Sequence, residues 1–402
     1  MRLLVITNLF PPQELGGYGR CLSDFVWGLK ELGHYIKVVT SDAPYLNKPS
    51  LSPCSDVPDI TITRHLKLKG SYESGISILD NPVISSRIDK NNISVLSDNL
   101  CDGWDGVLLG NLDLIGIEIL PVLLRQNIPI LHHIGFVSPP FAPHPILESP
   151  NYHILPASQA VALSLQQAGF SICSNNVVYP GARIDLFQPR HSSYSSSLSF
   201  AFAQETAGHS IGSPSNPLKV GFAGLLMGSK GLHTLIQALI LLKQQGYSVQ
   251  ANFAGDSFQS GYIEQLEQLI LKNDCLGSFN FVGCLSRNEL IRFWSRHHIG
   301  IFPSIHPEAF GISAAEILSS GLLLISSGVG GASELFTPGE HGLLFKPDNP
   351  SSLLSVLLNV LNNPGLLRTL SRQGFFHVRD HFSVSSSSLK LESLFKSLSL
   401  NL

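Results

Sequence analysis

Residues 299–316 read Ile-Gly-Ile-Phe-Pro-Ser-Ile-His-Pro-Glu-Ala-Phe-Gly-Ile-Ser-Ala-Ala-Glu. Ile299–Phe302 is a short apolar run of the kind a strand buried on both faces presents, and Pro303 ends it. A loop carrying Glu308 follows. A helix then begins near Gly311 or Ile312, with Glu316 in its second turn. The first N–H groups of such a helix lack internal partners and point at the crevice beyond the strand, where they favour a phosphate or a sugar oxygen. Glu308 before the helix and Glu316 inside it can reach different parts of one elongated ligand. The plainer alternative makes Glu308 a helix cap and Glu316 a solvated helix residue. The strand-end setting, with Phe310-Gly311 between the two carboxylates, favours the ligand.

The same strand–loop–helix unit recurs along the chain. Upstream, Leu218–Phe222 predicts a strand, His233–Gln244 a helix, and Val249–Ala254 and Phe279–Val282 two more strands. Leu322–Ser326 and the short Gly342–Phe345 follow. The first half repeats the pattern. Leu3–Thr7 is an apolar run, and Tyr18–Leu32 a helix with Leu22, Phe25, Val26 and Leu29 on one face. Gly33 stops that helix and Tyr35–Thr40 is the next strand. Further strands are expected at Gly106–Leu109, Ile128–Leu131 and Val177–Tyr179, while residues 44–100 read as polar and irregular. Alternating β and α units predict a mostly parallel sheet with both faces covered. Ligands of such sheets sit beyond the C-terminal strand ends.

At 402 residues, with 44% hydrophobic and only 14% charged, the chain is too long for one core and suits two. The expected division is an N-terminal domain over residues 1–190, a Ser-rich linker or insertion over 191–217, and a C-terminal domain over 218–374. Helices over 375–402 pack back across the junction. A formal net charge of -3 argues against nucleic acid as a partner. Six dispersed cysteines, Cys21, Cys54, Cys101, Cys173, Cys275 and Cys284, form no C-x-x-C pair, which suits a reduced, cytoplasmic chain. No segment reaches the ~20 apolar residues a membrane-spanning helix needs. Peripheral membrane contact stays open, though no Lys/Arg cluster argues for it.

Three further motifs sit on strand ends. Gly224-Leu-Leu-Met-Gly-Ser-Lys230-Gly231 lies between a strand and a helix. Its small residues permit close approach of backbone, and Lys230 can meet a diphosphate. It is not a Walker A loop, and a plain turn with a solvated lysine is the equal alternative. Gly16-Gly17 follows Pro11-Pro12 at the first βα turn, where a helix N-terminus can approach an anion. His132-His133 ends a strand and could bond a substrate hydroxyl or carry a proton; histidines satisfied inside the core are the plainer reading.

Taken in order, Pro11-Pro12-x-x-x-Gly16-Gly17, Val178-Tyr179-Pro180-Gly181 through Asp185-Leu186-Phe187, Phe281-Val282-Gly283, Glu308-x7-Glu316, Gly330-Gly331-Ala-Ser-Glu334 and Gly342-Leu-Leu-Phe345 resemble the retaining GT-B glycosyltransferases of family 4 (glycosyl transferases group 1). That family includes bacterial mannosyltransferases and sucrose-phosphate synthases, and the resemblance covers nearly the whole chain. It implies an α/β, GT-B fold: two Rossmann-like, doubly wound domains facing across a cleft. It implies hexose transfer with retained anomeric configuration, usually described as same-face attack through an oxocarbenium-like state. The donor is a nucleotide-sugar (UDP-, GDP- or ADP-linked), and the acceptor a sugar, lipid or small-molecule hydroxyl. No metal, Asp-x-Asp motif or cofactor is required. Glu316 would bind the ribose, and Glu308 would contact the donor sugar and stabilise the reacting centre. N–H groups of Phe310, Gly311 and Ile312 would meet the sugar or phosphates, while Lys230 and the Gly16-Gly17 loop would meet the diphosphate. The Cys284-Leu285 backbone would lie near the base. His133, or failing that His132, would approach the donor sugar.

This chain departs from the pattern at Leu225, where the family has an arginine. A charge-assisted hydrogen bond contributes roughly 1.5–3 kcal/mol, about ten- to hundredfold in affinity. Ala309 replaces the usual glycine between Glu308 and Phe310, and the Ser-rich insertion has no counterpart. Leu225 is why a second reading stands beside the first: a catalytically weakened GT-B protein that binds a nucleotide-sugar or a partner. A GT-B epimerase or phosphorylase is a third. The Gly-Gly loop and the chain length favour a transferase.

Overall fold

The computed structural model describes every residue except 14–16, 45–59, 74–75, 139–140, 173–175, 192–197, 200–209 and 401–402. Gly16, Cys54, Cys173 and most of the Ser-rich stretch therefore lie outside the described residues. The chain divides into two compact units: Met1–Pro180 with Val384–Leu402, and Gly181–Ser383.

The N-terminal unit is built on one six-stranded parallel sheet, with a separate short antiparallel pair of Gly70–Ser71 and Ser77–Ile78. Its elements are β1 (Arg2–Ile6), α1 (Tyr18–Glu31), β2 (Tyr35–Ser41), β3 (Thr61–Leu66), α2 (Pro82–Leu100), β4 (Gly106–Leu109), β5 (Ile130–Ile134), β6 (Tyr152–Pro156) and α3 (Gln159–Gln167). The strands lie in the order β3-β2-β1-β4-β5-β6, all parallel. β1 and β4 are apolar almost throughout because helices cover both faces of their sheet.

Several expectations for this unit are corrected. The stretch 44–100 is not irregular where it is described, since it holds β3 and the 19-residue α2. That helix escaped the apolar pattern because two of its four buried positions are asparagines, Asn92 and Asn99 beside Leu96 and Leu100. The strand expected at Ile128–Leu131 runs from Ile130 to Ile134. Pro129, with no N–H to give the ladder, stands just before its start. Val177–Tyr179 is extended but not a strand: the Val178 N–H bonds to the Pro156 carbonyl, while the Val178 carbonyl is taken by the His133 ring. β6 had no counterpart in the sequence reading.

The C-terminal unit repeats the plan. It comprises β7 (Leu218–Ala223), α4 (Leu232–Gln244), β8 (Val249–Ala254), α5 (Tyr262–Lys272), β9 (Phe279–Gly283), α6 (Arg287–Trp294), β10 (Ile299–Phe302), α7 (Ile312–Ser319), β11 (Leu323–Ser326), β12 (Leu343–Leu344), α8 (Pro350–Asn362) and α9 (Pro364–His381). The sheet order is β9-β8-β7-β10-β11-β12, all parallel. A single core joins Val220 and Phe253 of the sheet to Leu235 and Leu239 of α4 and Leu353 and Leu357 of α8. The last helix, α10 (Val384–Ser399), packs on α1 within the N-terminal unit. Gly28 makes this contact feasible, because a Cβ there would sit 2.1 Å from Ser388 Oγ. Residue 374 lies inside α9, so the change of unit falls at residue 383 and not at 374.

In both sheets the strand order reverses beside the first strand of the unit. A doubly wound sheet with order 3-2-1-4-5-6 opens a crevice there, at the C-terminal ends of its first and fourth strands. In the C-terminal unit these are β7 and β10.

Candidate active site

The loop after β7 is Gly224–Gly231, and the loop after β10 is Pro303–Gly311. Adjacent parallel strands therefore bring Lys230 and Glu308 together although 78 residues separate them. Lys230 Nζ donates to Glu308 Oε1 at 2.6 Å and to Oε2 at 2.9 Å. Ser304 Oγ donates to the same Oε1, and the Ser304 carbonyl accepts from Ser327 Oγ. The carboxylate is thus held by an ammonium on both oxygens and a hydroxyl on one. Both ion-pair partners keep some solvent contact, with side-chain exposures of 28% for Lys230 and 16% for Glu308.

The two loops are locked to each other through backbone. Ile305 N–H bonds to the Ser229 carbonyl at 2.8 Å. Gly231 has a φ of 68°, and a Cβ there would lie 1.9 Å from the Pro303 carbonyl oxygen. Only glycine supplies both the left-handed backbone and the clearance. This glycine serves loop–loop packing, a role that its reading as a ligand-approach residue did not include. On its outer side the Glu308 loop pairs with the Val329–Gly331 segment: Glu308 N–H reaches the Val329 carbonyl at 3.3 Å, and Gly331 N–H reaches the Glu308 carbonyl at 2.7 Å. The Gly228 N–H is taken by the Gln259 side chain at 2.8 Å, which fixes the turn carrying Lys230.

The helix α7 starts at Ile312 after Gly311, which occupies the N-cap position with φ 99° and no side-chain cap. Glu308 is therefore not the cap, and the plainer reading of that residue fails. The plainer reading of Glu316 fails too, because it is only 4% exposed. α7 lies hard on β10, where a Cβ on Gly300 would meet Ile317 Cγ1 at 2.4 Å. That contact sets the depth of the adjacent Glu316. Phe310 is buried, with its ring 6.1 Å from Phe382. Leu285 lies half-buried between the end of β9 and the Ser286 cap of α6. Leu225 is half-buried in the turn after β7. Of the expected donor contacts, Lys230, Glu308, Phe310, Gly311, Ile312 and Glu316 thus share the strand-end region of one unit.

Gly17, His132 and His133 belong to the other unit. Gly17 is the N-cap of α1, with φ -86°, a conformation open to any residue. Both histidines lie on β5 and are buried. His132 Nδ1 meets Tyr152 Oη, and its ring stacks on Phe141 at 5.7 Å. His133 Nε2 meets the Val178 carbonyl at 2.8 Å, and Phe25 packs edge-on at 5.0 Å. Burial pushes the His132 pKa down to about 3 and that of His133 to about 4. Both rings are therefore neutral imidazoles at neutral pH, each keeping one N–H, and the His133 Nε2–H donates to the Val178 carbonyl.

Ser304 and Gln259, which fix Glu308 and the Lys230 turn, were not singled out in the sequence. Ser304 lay within the decisive stretch, four residues before Glu308; no local signal marked Gln259.

Fold and site together define a two-unit α/β protein with a cation and carboxylates at a strand-end crevice of its second unit. Residues 204–375, less than half of the chain, match the family model Glycosyl transferases group 1. The glycogen synthase of Mycobacterium tuberculosis (strain CDC 1551 / Oshkosh) is 28% identical over 156 residues, covering 39% of this chain and 37% of that protein. The aligned part thus spans less than half of that relative. Among solved structures, the sucrose-phosphate synthase of Thermosynechococcus elongatus superposes with a TM-score of 0.74 at 19% identity over 100% of both chains. Anabaena HepE, solved in complex with UDP-glucose, superposes with a TM-score of 0.71 at 18% identity over 99% of this chain and 100% of that one. The fold is accordingly GT-B, with two Rossmann-like parallel-sheet units.

Proposed function

We propose that the protein is a retaining, metal-independent glycosyltransferase that moves a hexose from a nucleoside-diphosphate sugar to a hydroxyl acceptor. The observation that carries this reading is the convergence of Lys230 and Glu308 at the β7/β10 crevice, with buried Glu316 on the helix that leaves it. Lys230 supplies the counter-charge for the diphosphate. The first N–H groups of α7 and the Phe310 and Gly311 amides add hydrogen bonds to sugar or phosphate oxygens. Glu308 faces the donor sugar, where a carboxylate stabilises developing positive charge at the anomeric carbon. Glu316 takes the ribose hydroxyls, and the Leu285 backbone borders the base. The UDP-glucose held by the similarly folded HepE favours a nucleotide-sugar donor.

The test is incubation with UDP-, GDP- and ADP-sugars, reading released nucleoside diphosphate. Glu316→Ala should raise the donor dissociation constant with little change in turnover, and should abolish any preference for UDP over 2′-deoxy-UDP. Unchanged donor affinity would remove the ribose assignment. Leu225 favours a second reading, a binding protein with weakened catalysis. Donor binding with no turnover across donors and acceptors would select it.

A further inference from the structure

The N-terminal unit has its own strand-order reversal, between β1 and β4, and the polar side chains just beyond those strands form a second cluster. Asn8, Tyr72, Asn111 and Asp113 are each more than nine-tenths buried. Asn8 Nδ2 donates to Tyr72 Oη and to Asp113 Oδ1, both at 2.7 Å, and Tyr72 Oη donates to Asp113 Oδ2. The Asn8 N–H also bonds to the Asn111 carbonyl at 3.2 Å, which ties the ends of the two strands.

These bonds leave one group over. Asn111 Oδ1 is buried and meets no hydrogen-bond donor among the described residues. A buried acceptor in that state is costly in a folded chain unless something outside the chain supplies the donor. Asn111 is two residues past β4, in the crevice position where sheets of this order hold ligands.

The neighbours limit what that ligand can be. Asp113 is pushed up to about 6 by burial against the bond from Tyr72, and no described lysine or arginine acts on it. Arg64, near the β1 loop, bonds the Phe10 and Pro11 carbonyls and Gln13 Oε1, and its charge is already opposed by Asp42. A phosphate set against Asp113 would therefore face a carboxylate with no counter-charge. A hydroxyl group can donate to Asn111 Oδ1 and to Asp113 alike.

We propose that Asn8, Asn111 and Asp113 form a binding site for an uncharged, polyhydroxylated molecule, and that the site discriminates against phosphorylated analogues. Its identity as the acceptor site rests on the transferase reading above; the binding does not.

The test uses the full chain without donor. Saturation-transfer NMR titrations compare glucose, fructose and myo-inositol with their monophosphates. At least one neutral polyol should bind, with its monophosphate tenfold or more weaker. Asn111→Ala should weaken the neutral ligand about tenfold, and the near-isosteric Asp113→Asn should shrink the discrimination to threefold or less. Asp113→Asn keeps the idea testable if Asn111→Ala does not fold. No binding by any neutral polyol, equal or tighter binding of the phosphorylated partners, or discrimination untouched in Asp113→Asn overturns the proposal. Release of nucleoside diphosphate from UDP-glucose is measured separately. Polyol binding without turnover on any donor keeps this site and removes the transferase reading. Turnover without polyol binding does the reverse.

Discussion

The Lys230–Glu308 pair makes a prediction whose two halves have opposite signs. In the proposed function, the ammonium belongs to the diphosphate and the carboxylate to the sugar, yet in the structure they hold each other at 2.6 and 2.9 Å. A nucleoside diphosphate must therefore share Lys230 with Glu308. Removing the ammonium in Lys230→Ala deletes a charge-assisted hydrogen bond of roughly 1.5–3 kcal/mol and leaves Glu308 opposing the phosphates. Affinity for the diphosphate should fall by about ten- to a hundredfold. Removing the opposing charge in Glu308→Gln should do the reverse. With screening near that of bulk water, relief of one like charge about 4 Å away is worth roughly 1 kcal/mol, so affinity should rise about fivefold. Turnover should nevertheless fall by about a hundredfold or more, because the carboxylate that stabilises the reacting centre is gone. Isothermal titration with UDP, GDP and ADP, then turnover with the matching sugar, separates the two effects. Both variants should keep the melting temperature within about 4 °C, since a pair this exposed contributes roughly 0–1 kcal/mol. If Glu308→Gln weakens the diphosphate as much as Lys230→Ala does, the two side chains do not compete in the way the geometry implies.

Gly231→Ala should destabilise the C-terminal unit by roughly 2 kcal/mol or more, because its Cβ would overlap the Pro303 carbonyl oxygen at a φ of 68°. Gly277→Ala, with nothing within 4 Å of the added Cβ, should stay within about 0.5 kcal/mol; comparable losses for both in urea titrations would contradict the loop–loop contact. The buried histidines predict an acid-labile fold. The folded pKa values of His132 and His133, about 3 and about 4, lie below the unfolded value near 6.5, so between these limits the unfolded chain binds more protons. Stability is then complete above about pH 6.5 and drains as pH falls toward 4, by up to about 1.4 kcal/mol per unit for each group. Thermal melts from pH 7.5 to 4.5 should show that decline, and His133→Phe should flatten it. Melting temperatures that ignore pH down to 5 would contradict the assigned burial.

Strands with a clear apolar signal were legible to the residue: Ile299–Phe302, a continuous apolar run, and Val249–Ala254, whose apolar residues alternate with Gln250 and Asn252, stand where the pattern put them. Elements whose stability comes from polar burial were not. α2 buries two asparagines, and Asn92 bonds across to the Lys67 amide and carbonyl, an arrangement with no 3.6-residue apolar period to announce it. Val177–Tyr179 carries β-branched residues, but a ring nitrogen competes for its backbone carbonyl, and no local pattern reports a competitor 45 residues away. The neighbourhood of the candidate residues was legible, and their wiring was not. Lys230, Glu308 and Glu316 could be picked from strand-end positions. That Lys230 bonds Glu308, that Ser304 seconds it and that Gln259 holds the turn depend on which strands are neighbours, and β7 adjoins β10 only once the whole order is known.

That dependence on strand order bears on how the two units differ. Both place the ends of their first and fourth strands side by side, so topology offers each a crevice at the same place. What occupies the crevice is a matter of side chains. After β7 and β10 the chain sets an ammonium against a carboxylate, with helix N–H groups beside them, a combination suited to phosphate and sugar together. After β1 and β4 it sets amide and carboxyl acceptors with a phenol, a combination suited to hydroxyls alone. If the fold dictated the ligand, exchanging the charge character of one end would matter little. A single substitution, Asn111→Lys, would then leave the preference of the first unit unchanged. If side-chain charge selects the ligand, Asn111→Lys should instead draw phosphorylated polyols to the site and reverse the discrimination in the same NMR titration. An unreversed preference in a folded Asn111→Lys variant would mean that backbone geometry, and not side-chain charge, selects the ligand at that end of the sheet.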